Sequence, residues 1–283
     1  MAITHISDTA RWVAYYRAME TARPDAIFKD PFAERLAGPE GKAIVDTMKQ
    51  ARRMAWAMIV RTQLFDELIT EVIRGKEVDL VVNLAAGLDA RPWRMDLPPT
   101  LRWVDVDLPG ILDYKLDMLK NEKTKCRYDA IRVDLTDAAK RSAVLTQLGA
   151  SSNRTLVVTE GLLIYLTAEQ VGGLATDLHQ QAGFKWWVID IAHPRLLKMM
   201  QKSWGKEVAA GNAPFKFAPE EGTTFFEKFG WRESSFRSTM ESATRLKREM
   251  KGMWFWRRVT KLYPKRMKEM VRRFSGTVLL ERI

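Results

Sequence analysis

Apolar residues recur at helical spacing through the first quarter of the chain. Trp12, Tyr15, Tyr16 and Met19 sample one helix face, and a longer helix is predicted over 51–73, where Met54, Met58, Arg61, Phe65, Leu68 and Val72 mark successive turns. Between them, Asp30-Pro31-Phe32-Ala33 reads as an N-cap aspartate followed by proline at the first helical position. The period changes at Glu77. Short, almost continuous apolar runs at 78–84, 101–106, 155–159 and 185–191, with a weaker one at 128–133, predict strands buried on both faces. Helical stretches at 136–148 and 168–181 lie between them, and this alternation predicts an α/β fold with a doubly wound, mostly parallel sheet. Further on, a helix is expected over 195–204, a turn around 211–214, and a helix over 219–229 stopped by Gly230. A strand at 231–237, a basic helical stretch at 245–274 and a last strand at 276–283 complete the expectation.

There is no repeat and no Pro/Gly/Ser-rich linker, so the 283 residues are expected to form a single domain. Its parts would be a helical cap (1–75), an α/β core (76–194) and a substrate-side region (195–283) carrying the basic insertion. One cysteine, Cys126, excludes a disulfide-stapled domain. No signal-peptide pattern opens the chain, and no uncharged apolar stretch is long enough to span a bilayer, so a cytoplasmic location is expected. His5, His179 and His193 are far apart, and no cluster has metal-ligand spacing; no metal is expected.

Charge changes the picture in one region. The net charge is +11, but 195–283 holds 21 Lys/Arg against 9 Asp/Glu, so the remainder is nearly neutral. Within 245–273 there are 12 Lys/Arg and 2 Glu, interleaved with Trp254, Phe255, Trp256 and Tyr263. Three readings fit: a solvated basic face, a platform for membrane lipid or nucleic acid, and a lid over the pocket of an anionic or acyl substrate.

Ligands of doubly wound sheets bind at the carboxyl ends of the strands. The first strand ends in Ala85-x-Gly87-x-x-Ala90, which lacks the leading glycine of a dinucleotide fingerprint and counts against an oxidoreductase built around a nicotinamide cofactor. A ligand without a pyrophosphate, such as S-adenosylmethionine, asks less of that loop. Acids end the next three strands: Asp107, which could hold ribose hydroxyls, then Asp134 and Glu160. Helix N-capping accounts for Asp134 equally well. His193, just past the fifth strand, is the one histidine placed to act as a general base, although a backbone contact before Pro194 also explains it.

Six pieces carry a resemblance. They are Asp30-Pro31-Phe32-Ala33-Glu34, Arg61-Thr62-Gln63-Leu64-Phe65-Asp66, Val82-Asn83-Leu84-Ala85-Ala86-Gly87-Leu88-Asp89-Ala90-Arg91, Val104-Asp105-Val106-Asp107-Leu108-Pro109, Val133-Asp134-Leu135 and Glu160-Gly161-Leu162-Leu163-Ile164-Tyr165-Leu166. In this order they resemble the leucine carboxyl methyltransferase-like family of S-adenosylmethionine-dependent methyltransferases. The resemblance implies a seven-stranded Rossmann-like sheet with S-adenosylmethionine as cofactor. It places Arg61 on the methionine carboxylate, Ala85 and Gly87 against the cofactor, and Asp107 on the ribose. Asp134 and Leu135 would meet the adenine, and Glu160 the methionine ammonium or ribose side. Tyr165 and Arg17 would line the acceptor pocket, with Tyr165 and His193 as the catalytic candidates. Ala85 departs from the family's usual glycine, and its methyl is expected to narrow the loop. The function so implied is methyl transfer to a carboxyl or hydroxyl oxygen. A nucleotide-cofactor oxidoreductase and a non-enzymatic basic binding protein on the same scaffold are the alternatives.

Overall fold

The computed structural model describes residues 6–47, 51–210, 214–250, 252–260 and 263–283. The expected turn around 211–214 and His5 lie largely or wholly outside the described residues. Helices α1 (Ile6–Thr21), α2 (Ala33–Thr47) and α3 (Ala51–Lys76) precede the sheet. The core alternates β1 (Leu80–Leu84), α4 (Arg91–Arg94), β2 (Arg102–Asp107), α5 (Pro109–Leu119) and β3 (Arg127–Arg132). It continues through α6 (Ala138–Ala150), β4 (Thr155–Thr159), α7 (Ala168–His179), β5 (Phe184–Ala192) and α8 (Pro194–Ala210). A 3₁₀ helix at Gly222–Phe229 leads into β6 (Trp231–Ser238), then α9 (Thr239–Arg245), α10 (Met253–Thr260), α11 (Lys265–Arg272) and β7 (Ser275–Arg282).

The seven strands form one sheet in the order β3-β2-β1-β4-β5-β7-β6. Strands β1 to β5 pair in parallel, and β7 runs antiparallel between β5 and β6. The period-two alternation of strands sorts side chains cleanly between two layers. Leu80, Val82, Leu84, Val157, Trp187 and Ile189 face α6, α7 and the 3₁₀ helix. Val81, Trp103, Leu156, Val158, Trp186 and Val188 face α3, which answers with Phe65, Leu68, Ile69 and Val72. Two large indoles buried on this face have partners for their N–H groups: Trp187 donates to Thr159 Oγ1 at 2.9 Å and Trp231 to the Ala175 carbonyl at 3.0 Å. β3 is a sheet edge with little burial, which is why its apolar signal was weak.

Two local expectations are corrected. Asp30 sits three residues before α2: its Oδ1 accepts from the Phe32 amide (3.1 Å) while Oδ2 pairs with Arg17 Nε (2.8 Å). The cap of α6 is Asp137, whose side chain accepts from the Lys140 amide; Asp134 instead turns back on Thr136, accepting from its amide (2.8 Å) and hydroxyl (2.7 Å). The helix therefore begins two residues later than its apolar pattern suggested.

On the α3 face the strands change character toward their carboxyl ends. Trp103 gives way to Asp105, Val81 to Asn83, Val158 to Glu160 and Val188 to Asp190. Asp105 is fully buried and accepts from Lys115 Nζ (2.6 Å), Trp103 Nε1 (2.8 Å), the Tyr128 hydroxyl (2.8 Å) and Asn83 Nδ2 (3.2 Å). Lys115 is equally buried. Removing one member of such a pair leaves an uncompensated charge. Lys115→Met is thus expected to cost about 3–5 kcal/mol of stability in urea unfolding. The double variant Lys115→Met/Asp105→Asn should recover part of that loss; equal losses would show that Lys115 acts through packing alone.

Candidate functional site

At the carboxyl edge of the sheet lies a cavity of about 710 Å³. It is floored by the loop after β1, the ends of β2, β4 and β5, and walled by α1, α3 and α8. Nine of the ten residues singled out from the sequence line it: Arg17, Arg61, Ala85, Gly87, Asp107, Asp134, Leu135, Glu160 and Tyr165. His193 is not among the lining residues. Its Nδ1 accepts from the Arg195 amide (3.1 Å) and its ring stacks on Phe274 at 5.9 Å, so it caps the start of α8. The general-base expectation for His193 is corrected accordingly.

The loop after β1 is shaped by backbone and one carboxylate. Asp107, the last residue of β2, accepts from the Gly87 amide through Oδ2 (2.6 Å) and from the Leu108 amide through Oδ1 (2.7 Å). Burial pushes its carboxyl above the ordinary range, against the pull of those two donors. A carboxylate has about four lone-pair sites, so Asp107 retains acceptor capacity toward the cavity. Gly87 has φ +50, and a side chain there would press on the Ala10 methyl at 3.2 Å. Ala85 also sits in the left-handed region, at φ +54, with its amide bonded to the Val106 carbonyl (2.8 Å). The turn that a glycine would make freely is therefore made here by alanine, under strain. Ala85→Gly is expected to raise stability by about 1 kcal/mol in thermal unfolding, since left-handed backbone costs an L-residue roughly that much. No gain, or a loss, would mean that the strain is relieved elsewhere in the loop.

Arg61 enters from α3, one turn before Phe65 anchors that helix to the sheet. Its Nε bonds Glu160 Oε1 and its Nη1 bonds Asp190 Oδ2, both at 3.2 Å. The alternation places this arrangement: Glu160 and Asp190 each follow an α3-facing valine by two residues. Asp190 Oδ1 accepts from the Gly161 amide (2.7 Å). Gly161 has φ +69, and a side chain there would meet the Arg61 guanidinium at 3.1 Å. Burial raises the Asp190 carboxyl above its ordinary range, although Arg61 and the Gly161 amide oppose this. Burial likewise raises the Tyr165 hydroxyl, so this ring, stacked on Phe215 at 5.6 Å, stays protonated.

Behind these groups lies a second tier that the sequence reading did not assign. Arg91 is fully buried and pairs with Asp66 Oδ1 (2.6 Å), Asp89 Oδ2 (2.8 Å) and Glu160 Oε2 (2.8 Å). Arg94 closes a fork on Asp66, with both bonds at 2.7 Å. Burial opposes ionisation of Asp89, but Arg91, Arg94 and Lys115 outweigh it and hold its carboxyl at about 2. Arg17 belongs to this scaffold as well, with Nη2 donating to the Leu88 carbonyl at 2.6 Å and Nε held by Asp30. The signals were present: Asp66, Asp89 and Arg91 stand inside the quoted motifs, and Asp190 continues the strand alternation past Val188.

The outer half of the cavity is different in kind. Trp12, Met54, Trp56, Met58, Ile164, Leu196, Met199, Met200, Phe215, Met240, Met250 and Met253 supply an apolar, methionine-rich wall. The basic segment does border the cavity, but through Met250, Met253 and Phe274. Arg272 and Arg273 are engaged elsewhere: Arg272 pairs with Glu269 (2.9 Å), and Arg273 with Glu233 (2.7 Å) and Glu269 (2.9 Å). Neither arginine is among the residues that line the cavity, which the basic segment meets through apolar side chains.

With this geometry in place, comparison with known proteins is informative. The family model of leucine carboxyl methyltransferase matches residues 10–179. The chain belongs to the leucine carboxyl methyltransferase family. A Frankia alni protein provisionally described as an S-adenosyl-L-methionine-dependent methyltransferase is 31% identical over 238 residues, covering 76% of this chain and 81% of its own length. A Streptomyces avermitilis protein with the same provisional description is 32% identical over 183 residues, covering 62% and 64% respectively. The match thus spans just under two thirds of the Streptomyces relative. Among solved structures, a DUF574 family protein from Streptomyces avermitilis superposes with a TM-score of 0.63, covering 97% of both chains at 12% identity. A Thermobifida fusca protein, provisionally a methyltransferase, superposes with a TM-score of 0.59 over 99% of this chain and 95% of its own, also at 12% identity. At that identity both speak for the fold, a Rossmann-like sheet with flanking helices. The family match covers α1 through α7, which includes every acid of the cavity except Asp190.

Proposed function

We propose that this chain is an S-adenosylmethionine-dependent methyltransferase that acts on a carboxyl or hydroxyl oxygen of a largely apolar acceptor. The observation that carries this reading is the mixed lining of the cavity, which combines Arg61, Asp107, Asp134 and Glu160 with a wall of methionine and aromatic side chains. The donor set suits the cofactor. Arg61 has guanidinium N–H groups beyond the two used on Glu160 and Asp190, enough for a carboxylate. Glu160 and Asp190 suit an ammonium, Asp107 the ribose hydroxyls, and Asp134 with Leu135 the adenine edge. When bound, the cofactor supplies an already activated sulfonium methyl.

What remains for the protein is alignment and exclusion of water. The second tier of ion pairs holds Glu160 and the loop after β1 in place, so the cofactor end is set before any ligand arrives. Tyr165 lies close enough to Arg61 and Asp190 to feel their charges and stacks on Phe215 of the apolar wall, so an acceptor oxygen meeting the methyl would do so beside this ring. A carboxylate acceptor is ionised at neutral pH and needs no base, which suits a cavity that His193 does not reach. The hydroxyl reading is favoured by one observation, the raised carboxyl of Asp190, which could take up a proton. The oxidoreductase alternative loses its strongest objection, because Ala85 does make the glycine-like turn. Family membership favours methyl transfer over it instead.

Titration calorimetry with S-adenosylhomocysteine tests the cofactor end. Arg61→Ala and Asp107→Ala are each expected to weaken binding roughly 10- to 100-fold, as for loss of a hydrogen bond to a charged group. Because the Asp107 carboxyl is raised, wild-type affinity should fall as pH drops through that elevated value, and Asp107→Asn should remove the step. Undiminished binding in both alanine variants would sink the site assignment. The acceptor end is tested by the pH dependence of single-turnover transfer. A carboxylate acceptor is expected to give a flat rate between about pH 6 and 8. A rise with pH that disappears in Asp190→Asn would choose the hydroxyl instead.

A further inference from the structure

The outer end of the cavity opens beside a surface that methyl transfer does not require. Met199 of α8 lines the cavity and is nevertheless 58% exposed, so it marks the rim. Met253, the first residue of α10, also lines it, and the next two residues, Trp254 and Phe255, are 55% and 54% exposed. Their rings meet edge to face at 6.1 Å, and the Arg258 guanidinium lies 5.3 Å above Trp254. α11 borders the same region, because Arg195 at the start of α8 reaches Met270 Sδ at 3.7 Å. On α11, Lys265, Arg266 and Lys268 are exposed around an exposed Met267. Lys198 and Lys202 are exposed on α8 beside Met199.

Many other basic residues of this region are already neutralised by the body of the protein. Arg237 and Arg245 pair with Glu67 of α3, and Arg248 pairs with Glu20 and Asp25. The rim cations differ: among the described residues, no carboxylate pairs with Lys198, Lys202, Arg258, Lys265, Arg266 or Lys268. An exposed Trp-Phe pair and two exposed methionines leave apolar surface in contact with water. Set among unpaired lysines and arginines, they match the make-up of interfacial elements, which bury an apolar edge at the acyl boundary while cations meet anionic headgroups.

We propose that the mouth of the cavity docks on an anionic lipid surface, with Trp254, Phe255, Met199 and Met267 entering the interface and Lys265, Arg266 and Lys268 meeting the headgroups. The docking surface stands independently of the reaction. Its consequence, that an amphipathic acceptor passes from the lipid phase into the methionine-lined half of the cavity, rests on the methyltransferase reading. A nucleic-acid polyanion would use the cations but has less use for methionines, nor would it explain why the apolar patch continues into the cavity.

The test is co-sedimentation of the full chain with vesicles of phosphatidylcholine alone or mixed with phosphatidylglycerol, with a duplex DNA oligonucleotide as competitor. Binding is expected to the mixed vesicles, to weaken with salt, and to be little affected by DNA. Each basic residue near an anionic surface contributes roughly fivefold to partitioning. Neutralising Lys265, Arg266 and Lys268 to Gln should therefore lower it by about two orders of magnitude. Trp254→Ala/Phe255→Ala should lower it while leaving the net charge unchanged. Calorimetry with S-adenosylhomocysteine on the same variants reports folding and the cofactor site separately. No vesicle binding, equal binding to both vesicle types, displacement by DNA, or insensitivity to the aromatic double variant would each overturn the docking surface. Vesicle binding without cofactor binding in the wild type would leave the surface standing and remove the methyltransferase reading.

Discussion

The site depends on one constraint: charges buried at the carboxyl ends of the strands must be paired or hydrogen-bonded. An uncompensated ion in a low-dielectric interior costs several kcal/mol, so each carboxylate that a strand end presents must find a cation or N–H donors. Here the pairing runs across the sheet. Lys115 of α5 meets Asp105, Asn83 joins Asp105 to Asp89, Arg91 joins Asp89 to Asp66 and Glu160, and Arg61 joins Glu160 to Asp190. The chain of contacts links β2, β1, β4 and β5 to α3 and α5. The apolar face of α3 sets its depth on the sheet, and Arg61 and Asp66 fix its register there.

The same network explains how a site for a small charged ligand is held ready. Asp107 is positioned by two backbone amides, and Glu160 by two guanidinium groups. None of these contacts involves a ligand, so cofactor binding need not order the loop or the strand ends. The arginines split into those with spare donors at the cavity, Arg61 foremost, and those consumed by the scaffold, such as Arg17 and Arg94. Arg17 therefore lines the cavity while serving mainly to tie α1 to Asp30 and to the Leu88 carbonyl.

The basic C-terminal third divides in a comparable way. Arg237, Arg245, Arg248 and Arg273 are cross-braces to acids on α1, α3 and β6, and they join the last elements to the first. Among the described residues, the cations without a carboxylate partner include Lys198, Lys202, Arg258, Lys265, Arg266 and Lys268, near the exposed methionines and the exposed aromatic pair that form the rim. Counting charges along the chain located the excess, but it could not separate braces from rim, because both are arginines and lysines at similar sequence spacing.

Strands, their order of appearance and the candidate acids were legible in the sequence, because period-two burial and strand-end polarity are local patterns that every residue reports through its own chemistry. The quoted motifs carried much of the polar lining of the cavity for the same reason. Of the two readings of His193, the backbone contact is the one its surroundings support, and Asp190, two residues before the end of β5, was overlooked although it continues the strand alternation. The Arg195 amide and Phe274 then claimed the imidazole. Pairing is a property of three dimensions. That Arg91 binds Asp66, Asp89 and Glu160 together, that Ala85 bends like a glycine, and that methionines rather than arginines wall the acceptor end were decided by tertiary structure. Residues up to 129 positions apart had to be brought into one dry volume before their charges could choose partners.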